Sequence, residues 1–90
     1  MKMELTVIDR EILEAVFPKV QGKLEIVKEA AWFKKDIELT PPDKENTNII
    51  KEVEVPDSIL PIIVATLQMM DEKGLITEEV LPLWDKFITA

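Results

Sequence analysis

The longest apolar run in the chain is SILPIIVATLQMM, Ser58 to Met70, and its spacing predicts a helix over 58–73. At about 100° per residue, Ile59, Leu60, Ile63, Val64, Leu67 and Met70 form one broad stripe. Ile62, Ala65 and Met69 form a second, narrower one. Two apolar sides predict either a central helix buried on both, or a helix whose second stripe meets another chain. Ser58 is the expected N-cap, because it places Pro61 third in the helix, where a missing N–H breaks no bond. Gly74 after Lys73 is the expected left-handed stop.

Upstream, TVIDREILEAVF predicts a helix over 6–17, with Thr6 as N-cap and Asp9 closing a reciprocal capping box. Pro18 ends it. KLEIVKEAAWFKK predicts a second helix over 23–35, with Leu24, Val27, Ala30 and Ala31 facing inward and Ile26 and Phe33 widening that face. Glu25 is spaced to pair with Lys28, and Lys28 to lie over Trp32. DIELT (36–40) and IIKEVEV (49–55) alternate apolar with polar, which predicts two half-buried strands. The proline-containing segment 41–48 between them predicts a loop. Beyond Gly74, Thr77 is a candidate N-cap followed by Glu78 and Glu79. Pro82 leaves two readings: a kinked first turn, or a helix starting near Pro82 with 77–81 as a separate turn. Val80, Trp84, Phe87 and Ile88 then share a face. The expected architecture is one α+β domain over 1–90, four helices and a two-stranded antiparallel hairpin in the order ααββαα.

Charge narrows the partners. Asp plus Glu number 18 and Lys plus Arg 11, for a net charge of −7, which disfavours direct nucleic-acid binding through the phosphate backbone. The apolar run is about 13 residues, short of the ~20 that a bilayer-spanning helix needs, so no membrane is expected. Acidic residues Glu4, Asp9 and Glu11 interrupt the first residues where an export signal requires an apolar core, so a cytoplasmic location is expected.

Residue types narrow the chemistry. The chain has no His, Cys or Tyr, and Ser58 is its one serine, so a Ser–His or Cys–His triad and a His/Cys zinc site are ruled out. Gly22 and Gly74 are the only glycines, too few for a phosphate-cradling loop. Asp43, Glu45 and Thr47 have the opening spacing of a calcium loop, with Glu54 at the twelfth place. Asn48 stands where that loop needs glycine, so a solvated loop is the better reading. No catalytic, cofactor or metal residue is expected.

The segments REILEAVFPKVQGKLEIVKE and KEVEVPDSILPIIVATLQMMDEKGLITEEVLPLWDKF bracket a polar middle. Together they resemble a group of small uncharacterised proteins carried by phages and prophages of Gram-positive bacteria. The resemblance rests on the apolar helix, the turn before Leu75-Ile76-Thr77 and the ending Leu83-Trp84-Asp85-Lys86-Phe87. It implies a small phage accessory protein in the host cytoplasm and no particular site residue.

The expected function is therefore non-enzymatic interaction with a protein partner, including a second copy as a homodimer. The alternatives are an acidic inhibitor that imitates nucleic acid and a structural part of a viral assembly. The candidate interface is the second stripe, Ile62, Ala65 and Met69, with Trp32 and Trp84. Trp32 also reads as a partly buried packing residue.

Overall fold

The computed structural model describes residues 1–46 and 48–89; Thr47, in the expected loop, lies outside them. The fold is α+β, with a two-stranded antiparallel sheet and five α-helices among the described residues. Its order differs from expectation at two points: the first strand lies at the start of the chain, and an additional short helix stands in the expected loop.

That strand, β1, is Lys2–Thr6. KMELT alternates with period two, so Met3 and Leu5 turn inward while Lys2 and Glu4 turn out. It pairs with β2, Ile50–Glu54, placing Met3 opposite Val53 and Leu5 opposite Lys51. One more backbone bond, from the Val55 N–H to the Met1 carbonyl at 2.7 Å, extends the ladder. The residues expected to form the partner strand, 36–40, do not. Asp36 and Ile37 continue the second helix instead. Ile37 lies four residues after Phe33 and seven after Ala30, so it fits the helical period, and all three are buried.

Thr6 ends β1 and caps α1, Val7–Val16, as the sequence predicts. Its hydroxyl accepts from the Asp9 N–H at 3.1 Å, and the Asp9 carboxylate accepts from the Thr6 N–H at 3.1 Å. Phe17, before Pro18, leaves helical geometry and closes α1 with a 2.8 Å bond from its N–H to the Leu13 carbonyl. α2 is Leu24–Ile37; its Phe33 ring meets that of Phe17 with centroids 5.5 Å apart. The cation–π contact among the described residues is Lys34 over Phe17, not Lys28 over Trp32.

The segment expected as a loop begins with a short helix, α3, Pro41–Glu45. Prolines that cannot join a strand ladder are well suited to the first turn of a helix. α4 is Leu60–Glu72, shorter at its start than expected. Ser58 is not its cap: the residue falls in a turn, and its hydroxyl donates to the Glu29 carboxylate on α2. Gly74, at φ +68°, ends α4, with bonds from the Leu75 N–H to the Met70 carbonyl and the Gly74 N–H to the Asp71 carbonyl. The C-terminal part resolves the choice that Pro82 posed. Glu78–Val80 is a separate 3₁₀ turn, α5 starts at Leu81 with Pro82 in its first turn, and Asp85–Thr89 widens into a π turn.

The core draws on every layer: Leu5, Leu13, Phe33, Val53, Ile63 and Leu83 are all fully buried. α4 contributes Ile63, Leu67 and Met70 from one side only. Ala65, Gln68 and Met69 on its other side are exposed, so α4 is a flanking helix and not the walled-in centre expected. We predict that Leu5→Ala, on the strand missing from the expected order, lowers unfolding free energy by about 3 kcal/mol. Ile50→Ala, on the exposed side of the same sheet, should change it by less than about 0.5 kcal/mol. Urea denaturation reads both.

Candidate interaction surface

Buried titratable groups often mark chemistry, and α1 carries two. Asp9 and Arg10, adjacent on α1, are both 1% exposed. Arg10 reaches Asp43 of α3 with two bonds, Nη2 to Oδ1 at 2.7 Å and Nη1 to Oδ2 at 3.2 Å. The Asp43 carboxylate also accepts from the Thr40 N–H at 2.9 Å and the Thr40 hydroxyl at 2.8 Å. The guanidinium bonds, reinforced by Thr40, hold the Asp43 carboxyl well below the usual carboxylate range, outweighing the opposing effect of desolvation. Lys86, from the π turn, donates to Asp9 at 2.5 Å. Each buried charge is thus committed to a partner, and only the Arg10 Nε is buried without one among the described residues. Asp43, the first position of the calcium-like pattern, is engaged by Arg10 and Thr40. No group of acidic side chains suited to a metal ion occurs among the described residues.

The surface offers more. α2 carries two apolar stripes. Ile26, Ala30, Phe33 and Ile37 turn toward the core, and Leu24, Val27, Ala31 and Trp32 turn to solvent. The sequence places Leu24, Val27 and Ala31 inward, and the structure reverses this. The reason is physical: the stripe with Phe33 and Ile37 buries more apolar area and carries no charge, whereas Lys28 and Lys35 lie among the outward residues. Leu24 and Trp32 are each 67% exposed, which corrects the expectation of a packed Trp32. Beside Trp32 runs an open groove of about 560 Å³ lined by Trp32, Phe33, Lys35, Asp36, Glu54 and Pro56. It follows the junction of α2 with the end of β2.

The five candidate interface residues separate. Ile62, Ala65 and Met69 share the outer side of α4, but Ile62 is half-buried and leans on the core, leaving Met69 as the exposed large side chain. Trp84, on α5, is also half-buried against the core. Trp32 stands apart from them on α2. Leu24 and Val27 were missed as surface residues; the lysines interleaved with them are the signal that could have found them.

No family model matches this chain, and no curated protein or solved structure matches it. No helix among the described residues is long and apolar enough to cross a membrane.

Two predictions concern the buried pair. Arg10→Met strands the Asp43 carboxylate and should lower the thermal midpoint by on the order of 15 °C. The loss in Arg10→Met/Asp43→Asn should fall short of the sum of the losses in the two single variants, and additive losses would show the groups to be uncoupled. The second concerns pH. Because folding depresses the Asp43 pKa, its stabilisation is complete above the unfolded value of about 3.9 and is lost as pH falls below it. Denaturation between pH 5 and pH 2, values set by about that range, should show a shallower acid decline in Asp43→Asn than in the parent chain.

Proposed function

We propose that this chain is a non-enzymatic protein-interaction module acting in the cytoplasm, in keeping with the phage accessory proteins that its sequence resembles. The observation that carries this reading is the outward face of α2. Leu24, Val27 and Trp32 are presented on a helix whose other side is fixed by Phe33 and Ile37. Rigid presentation of an exposed tryptophan and aliphatic neighbours is the usual make-up of an interface hot spot, since little order is lost on docking. The residue types support binding over catalysis: His and Cys are absent, and the one serine donates to Glu29.

A nucleic-acid-imitating inhibitor is the second reading. It is favoured by the solvent side of the sheet, where Glu4 lies directly opposite Glu52 and Glu54 follows on the same face. Lys2 interrupts that acidic row and pairs with Glu52 at 3.6 Å, so the α2 face has the stronger support.

Trp32→Ser should leave the unfolding free energy within about 0.5 kcal/mol of the parent, because the ring is exposed. It should weaken partner capture at least tenfold, an order of magnitude set by about 1.4 kcal/mol of hot-spot contact. Cross-linking in the producing cell, followed by comparison of the proteins held by parent and Trp32→Ser, measures this. Equal recovery from both would remove α2 as the binding face.

A further inference from the structure

The surface holds a second patch whose chemistry is the complement of the first. Over α2 and its approach, residues 19–37, Lys19, Lys23, Lys28, Lys34 and Lys35 face Glu25, Glu29 and Asp36, and Asp36 is itself paired with Lys51 at 3.8 Å, so this region is net positive in a chain of net charge −7, with Lys28 and Lys35 on the outward stripe of α2. The stretch from the end of α4 to the start of α5 has the reverse character. Met69, Leu75 and Leu81 are exposed there, amid Asp71, Glu72, Glu78 and Glu79, against which Lys73 is the single cation. None of these four carboxylates, nor Lys28 or Lys35, joins an ion pair among the described residues. Each patch therefore combines bare apolar side chains with charges that have no ion-pair partner among the described residues.

We propose that the α2 face of one copy docks on the Met69–Leu81 stretch of a second copy, a head-to-tail contact between unlike surfaces. This rests on the reading of α2 as a binding face and names its occupant. Opposite charge steers the two patches together, and like charge disfavours α2 against α2. The same overall negative charge argues against an anionic membrane as the occupant. Because the contact joins two different patches, every docked copy still offers one of each, so growth continues unless the geometry closes a ring.

A charge-exchange experiment on the full chain tests this. Lys28→Glu/Lys35→Glu reverses the first patch. Asp71→Lys/Glu72→Lys reverses the second, in the last turn of α4, where cations suit the helix dipole. Circular dichroism first establishes that both variants are folded. If the second variant fails this check, Glu78→Lys/Glu79→Lys replaces it. In sedimentation across low to high micromolar protein, the parent chain should gain mass with concentration and lose it as salt is raised. Each variant alone should stay monomeric, and an equimolar mixture of the two should associate again, because both contacts are then complementary. In a Trp84→Phe background, Trp32 is the one fluorophore, and its emission should move to the blue as the parent chain associates. A monomeric parent chain at every concentration overturns the proposal. So does association that survives in Lys28→Glu/Lys35→Glu, or a mixture that stays monomeric. Binding of monomeric parent chain to phosphatidylserine vesicles through Trp32 would likewise overturn it. These failures leave the α2 binding face itself to be judged by the Trp32→Ser comparison, so the two readings fail separately.

Discussion

Two neighbouring side chains on α1 set the arrangement of the rest. Asp9 and Arg10 point into the protein, where an unpaired charge costs several kcal/mol. Each is tolerated because a distant segment supplies its counter-charge. Arg10 holds Asp43 and with it the short α3, which a five-residue helix could not sustain alone. Asp9 holds Lys86 and with it the π turn at the far end of the chain. Both aspartates also accept from the N–H of the threonine three residues earlier, Thr6 and Thr40. The same carboxylate thus caps a helix and anchors a remote segment, and either role alone would be weaker.

This dual use explains what was legible in the sequence. The T-x-x-D pattern at Thr6 was readable because an amphipathic helix follows it immediately. The same pattern at Thr40 was masked by Pro41 and Pro42, which suggest a loop, although proline is at home in a first helical turn. Neither long-range ion pair left a local trace, since nothing near Arg10 announces Asp43. The strand at Lys2–Thr6 did have a trace, its period of two, but five residues ahead of a strong helix signal carry little weight. DIELT misled for the opposite reason: over so short a run, strand alternation and helical spacing both fit, and Phe33 decides in favour of the helix.

The surface was harder to read than the core. Ile62, Ala65 and Met69 looked like surplus apolar area on the most hydrophobic helix, yet Ile62 is mostly spent on the core. The real surplus is on α2, which carries an apolar stripe on each side, the outward one interleaved with Lys28 and Lys35. Hydrophobic periodicity identifies stripes without ranking them. The position of the lysines, and the size of Phe33 on the other side, make the ranking.

The sheet also constrains how the protein is made. Lys2 is paired with Glu54, and every residue between them must be synthesised before the ladder can close. A ribosome adding about 5–20 residues per second leaves the first strand waiting for seconds, its inward Met3 and Leu5 bare. During that interval α1 and α2, whose contacts are local, can already form a hairpin. The nascent chain can thus hold α1 and α2 together before its sheet closes, and β1 finds its partner only once β2 has been made.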